Sequence, residues 1–113
     1  MARPSRWLNR LPLARFVVAD TSMRPALEPG DGIVVARWLA PRGGDLVVFR
    51  RPDQTLTVAV KRVEQIAASG DLMVAGDNVN VSSDSRHFGP VPPDLVVGRV
   101  VYRYRPPERR GWL

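Results

Sequence analysis

Apolar positions along this chain fall into short runs, each closed by Gly, Pro or Asp. Residues 15–19 (RFVVA), 33–38 (IVVARW) and 45–50 (DLVVFR) read as strands, entered through turns such as PGDG at 29–32 and PRGG at 41–44. Residues 55–66 (TLTVAVKRVEQI) predict a longer strand, and 72–75 (LMVA) and 95–104 predict two more. β-branched residues dominate these runs and no segment sustains a 3.6-residue period, so helices are not expected beyond a short turn after residue 22. The expected product is an all-β unit, built of curled antiparallel sheets or a partial barrel. Residues 77–94 form a long polar connection that ends in Phe88, Pro90, Val91 and Pro92. A connector of that length in a compact domain is an ordered functional loop in this reading.

Length and composition narrow the chemistry. The chain has 113 residues, enough for one domain with one modest core. We divide it into a basic N-terminal arm (1–13), a central domain (14–105) and a C-terminal tail (106–113). No cysteine is present, which excludes disulfides and thiolate chemistry, and one histidine, His87, cannot build a multi-histidine metal centre. No cofactor or metal is expected. The net charge of +6 sits at the ends, because residues 16–98 hold eight basic and ten acidic residues. That distribution argues against a nucleic-acid groove across the body, while the arginine-rich ends leave open a peripheral membrane contact. No run approaches the ~20 apolar residues of a spanning helix, so no transmembrane anchor is expected.

Sixteen of the seventeen basic residues are arginine, and the exception is Lys61. Arginine keeps its proton in a protein, whereas a buried lysine can lose it. Strand alternation puts Thr57, Ala59, Lys61 and Val63 on one face. Burial there would bring the amine toward the range of a general base, but an exposed lysine on an edge strand fits the same pattern. Ser22, at a predicted strand end, suits a nucleophile and suits a turn or N-cap serine equally. His87 reads as loop packing. Trp7, Trp38 and Trp112 read as packing or surface anchors.

Five segments, in order, resemble boxes of the type I signal peptidase family: 22–31 (SMRPALEPGD), 44–49 (GDLVVF), 60–63 (VKRV), 76–90 (beginning GDN, with SSDSRHFGP at 82–90) and 98–100 (GRV). The resemblance spans roughly residues 16–104. It implies the curled all-β fold shared by signal peptidases and LexA-like peptidases. It also implies serine endopeptidase activity through a Ser-Lys dyad, with Ser22 as nucleophile and Lys61 as general base. By the same resemblance, Met23 and Pro25 belong to the substrate pocket. Ser82 matches the position whose hydroxyl holds the lysine amine. Asp77 and Asn78 match support for the site, and Asp84 and Arg86 match an ion pair that braces it.

Against the family pattern, no anchor and no large insert are expected in this chain. It also carries Asp20 two residues before the nucleophile, where the family often has serine or glycine. An ionised carboxylate cannot donate to an oxyanion, so Asp20 is expected to point away and leave the Ser22 amide to that task. Among short, unanchored relatives, the chain resembles the proteases that mature nickel-type superoxide dismutase. The resemblance is carried by the short length, the arginine-rich terminal strand 99–106 and the closing box 88–93 (FGPVPP). It implies a nickel superoxide dismutase precursor as protein substrate and a cytoplasmic setting. Rival readings are a membrane-associated enzyme acting on exported preproteins, a self-cleaving repressor-type peptidase, and a non-catalytic β-barrel binding module.

Overall fold

The computed structural model describes residues 12–81 and 83–113. Residues 1–11, most of the expected basic arm including Trp7, therefore lie outside it, as does Ser82. Seven strands follow one another: β1 (Leu13–Val17), β2 (Gly32–Ala36), β3 (Leu46–Arg51), β4 (Gln54–Ile66), β5 (Leu72–Ala75), β6 (Val96–Arg105) and β7 (Gly111–Trp112). They form one antiparallel sheet in the order β1-β2-β6-β3-β4-β5, with β7 added to β6. The fold is mostly β, as the run pattern predicts. β1 covers 13–17 rather than the expected 15–19; it stops at Val17 because Val18 leaves the ladder to bond the loop, its amide donating to Asp31 and its carbonyl accepting from Gly30.

The sheet curls around two apolar clusters, and β3 separates them. Leu46 and Val48 join Val18, Met23, Leu27, Ile33, Val35 and Val100 on one side. Val47 and Phe49 join Val63, Leu72, Val74 and Val91 on the other. Both faces of β3 are covered, which is why its sequence is a continuous apolar run rather than an alternating one. β4 shows the opposite habit. Its first residues, Gln54–Val58, are exposed, and burial begins only near Lys61 and Val63.

β6 reaches β3 with residues 96–99 and β2 with residues 99–105, and it carries irregularities of register on both edges. Gly98 lies where a β-carbon would collide with the Ala36 carbonyl, so glycine there permits the close backbone approach. The residues read as a tail fold back. β7 pairs with Tyr102 and Arg103 of β6, and the turn at Pro107–Arg109 brings the Arg109 guanidinium to Asp31 at 2.7 Å. Buried Asp31 also accepts from the Glu28 amide and from Arg103, which joins the loop after residue 22 to the chain's last turn. The 77–94 connector holds a one-turn helix, α1 (Ser85–Phe88), and a 3-10 turn at Pro93–Leu95. α1 went unpredicted because four residues are too few to show a helical period.

Candidate active site

A cleft of about 300 Å³ opens where the chain leaves β1 and passes β4. One wall runs from Phe16 to Asp20 and includes Ser22; the facing wall runs from Thr57 to Lys61. Arg51, Val81 and Ser83 also border it. The cleft therefore takes its apolar surface from two extended segments, with Asp20, Ser22 and Lys61 among its polar lining.

Ser22 lies in a tight turn rather than a strand. The Arg24 amide donates to Thr21, and the Leu27 amide to Met23, closing one helix-like turn. Asn78 grips this turn from across the molecule. Its backbone amide donates to the Ser22 carbonyl at 2.9 Å, and its side-chain amide donates to the Thr21 carbonyl at 3.1 Å. Met23 and Leu27 anchor the turn in the core, both fully buried. Ser22 itself is only 5% exposed, at the cleft edge.

Lys61 is 4% exposed, which excludes the surface-lysine reading of its strand. Burial pushes its amine down from the ordinary lysine value; the carboxylates of Asp20 and Asp84 oppose this, Arg51 adds to it, and the net direction is downward. Next to it, Arg62 donates twice to Asp77, at 2.9 and 2.7 Å, and once to the Gly44 carbonyl. This clamp joins β4 to the segment that follows β5, close to the lysine in sequence.

Asp84 and Arg86 form a two-point ion pair at 3.0 and 2.9 Å. Asp84 is also the N-cap of α1, accepting from the Arg86 amide, while its own amide donates to His87 Nδ1. His87 thus serves the cap of a short helix and is itself exposed. Ser85, which the sequence did not single out, is buried, and its hydroxyl accepts from the Val74 amide at 2.9 Å, tying α1 to β5.

One expectation is corrected: Asp20 does not point away from Ser22. Its Oδ1 accepts from the Ser22 hydroxyl at 2.8 Å and from the Ser22 amide at 3.1 Å. A side chain two residues ahead of a turn serine is well placed for this Asx-type bonding, and Asp20 can accept where it cannot donate. Met23 is buried in the core and Pro25 is exposed, and neither is among the residues lining this cleft. Met23 turns inward because the helix-like turn after Ser22 needs an apolar anchor beneath it. Ser82, expected beside the lysine, lies outside the described residues.

Comparison with known proteins agrees with this geometry's class. The family profile described as "Signal peptidase, peptidase S26" matches residues 8–72 and 64–105. The chain is 30% identical to the mitochondrial ATP-independent inner membrane protease subunit 1a of Arabidopsis thaliana, over 88% of this chain and 77% of that protein. It is 26% identical to the thylakoidal processing peptidase 1 of the same plant, over 81% of this chain and 42% of that protein. It is 26% identical to a probable signal peptidase I-1 of Synechocystis, over 89% and 79%.

Proposed function

The chain belongs to the signal peptidase family, peptidase S26, and on that premise we propose that it is a serine endopeptidase whose nucleophile is Ser22 and whose general base is Lys61. One observation carries the reading: a buried serine and the chain's single lysine, also buried, border the same cleft. Neutral Lys61 takes the proton of the Ser22 hydroxyl as Oγ attacks the scissile carbonyl. The tetrahedral oxyanion is held by backbone amides. Lys61 then gives its proton to the leaving amine, and the acyl-enzyme is hydrolysed by water that Lys61 deprotonates in turn. Asn78, Asp77, Asp84 and Arg86 hold the turn and the strands around the dyad. The substrate lies extended between the two cleft walls, pairing its backbone with theirs.

For the substrate we propose the precursor of a nickel superoxide dismutase, shortened at its N-terminus in the cytoplasm. The arginine-rich terminal strand and the closing box at 88–93 support this. The test incubates the chain with that precursor and reads the product N-terminus by mass. A single new N-terminus is expected. Precursor left uncut across pH and temperature would end the substrate assignment.

The names of the relatives favour a second reading, in which the enzyme works at a membrane on exported proteins: two of those above are an inner membrane protease and a thylakoidal peptidase. No helix among the described residues is long and apolar enough to cross a membrane. Sedimentation with neutral phosphatidylcholine vesicles at physiological salt separates the readings, because charge attraction of the arginine-rich ends then carries nothing down and a membrane enzyme still sediments.

A further inference from the structure

Asp20 stands where the nucleophile's two useful groups meet. The Ser22 hydroxyl carries the proton a base must remove, and the Ser22 amide is a backbone donor on the attacking residue itself. One carboxylate oxygen takes both, at 2.8 and 3.1 Å. In this arrangement the hydroxyl proton is directed at Asp20 and the amide is occupied. A peptide carbonyl can use that amide only by displacing the carboxylate. Asp20 also lines the cleft, so an entering substrate meets it directly.

We propose that Asp20 is a positioning residue that holds Ser22 in a resting arrangement, released when the substrate carbonyl takes over its amide, and that its charge sets the pH at which the site switches on. The proposal rests on the Ser22–Lys61 reading and deepens it. Three charged groups act on the Lys61 amine: Asp20 from the segment after β1, Asp84 from the cap of α1, and Arg51 from the end of β3. Asp20 is the first of these to oppose the effect of burial. Burial pushes the Asp20 carboxyl up, but the hydrogen bonds from Ser22, with the charge of Lys61, outweigh it and keep the group ionised at neutral pH. Its negative charge favours the ammonium form of Lys61, so removing that charge makes the neutral base available at lower pH.

The experiment needs no knowledge of the substrate. A fluorophosphonate probe reacts with an activated serine: a Ser22 Oγ–P bond forms, the P–F bond breaks, fluoride leaves, and the hydroxyl proton passes to Lys61. Labelling rates across pH are read by intact mass for the wild type, D20N, D20G, S22A and K61A, with a thermal melt for each. D20N keeps the acceptor oxygen but loses the charge, and its pH midpoint is expected to fall by roughly one unit. D20G loses the acceptor as well, and its plateau rate is expected to rise roughly tenfold. If D20G melts below assay temperature, D20A, which also lacks the acceptor, carries that arm. An unmoved midpoint in D20N, or a plateau in D20G no higher than the wild type, overturns the proposal. A purely structural Asp20 would lower stability and rate without moving the midpoint. Labelling away from Ser22, or K61A labelling at the wild-type rate, instead removes the dyad and the proposal with it.

Discussion

At Lys61, burial and charge pull on one amine in opposite directions. Burial lowers its proton affinity, Asp20 and Asp84 raise it, and burial prevails. A lysine so placed carries a cost that packing alone would not select, which gives a test at the residue scale. Lys61→Met keeps the length and removes the charge, so it should abolish peptidase activity while leaving stability unchanged or raised by about 1 kcal/mol. Denaturant melts alongside an activity assay would check this; parallel loss of both would make Lys61 a structural residue. In the wild type, activity should climb with pH as the amine deprotonates, at lower pH than a free lysine would require. The sequence exposed Lys61 by its rarity, and strand alternation named its face. What it left open was burial, because Lys61 lies at the boundary where exposed Gln54–Val58 gives way to buried Val63. Asp20 was misread for a different reason. Its part as an acceptor depends on the turn at Ser22, and no period in the sequence encodes that geometry.

At the scale of elements, β3 and β4 were legible because their burial is written in the order of apolar residues. α1 and β7 were not. A four-residue helix and a two-residue strand carry no readable period: the first is held by the Asp84 cap, the second by its pairing with β6 and the Trp112–Tyr102 ring contact. The cap makes a prediction about acid. The Arg86 guanidinium holds the Asp84 carboxyl below the usual range, against the effect of burial and with help from the Arg86 amide. A depressed native value means that the carboxylate's stabilising contribution is complete above the ordinary aspartate range. It is lost as pH falls through the depressed value. The midpoint of thermal unfolding should therefore fall steeply on acidification below about pH 4. Asp84→Asn should cost about 1 kcal/mol at pH 7 and flatten part of that acid slope. An unchanged slope would mean that other carboxylates govern acid unfolding.

At the scale of the whole molecule, distant parts of the chain converge on the turn that carries Ser22. Asn78 holds its carbonyls, Met23 and Leu27 root it in the core, and Asp31 ties the loop beyond it to Arg103 and Arg109. Asp31→Ala would leave two arginines facing each other without a counter-charge, at a cost of about 2–3 kcal/mol, visible as a lower denaturation midpoint in urea. A loss below ~0.5 kcal/mol would show that the C-terminal turn contributes little to the fold. The ordered boxes made the family legible before any geometry was known. The sequence could not show that residues 106–113 close onto β6 and Asp31, since β7 has only two residues and the Arg109–Asp31 bond joins positions 78 apart.

The central claim is the pairing of Ser22 with Lys61 in peptide cleavage. The most direct measurement exposes the wild type, S22A and K61A to a mixed peptide library and counts new N-termini by mass spectrometry, with melts to confirm that each variant folds. The account predicts cuts by the wild type, and a drop on the order of 10³-fold or more in both variants. Cleavage that survives both substitutions at the wild-type rate would contradict it.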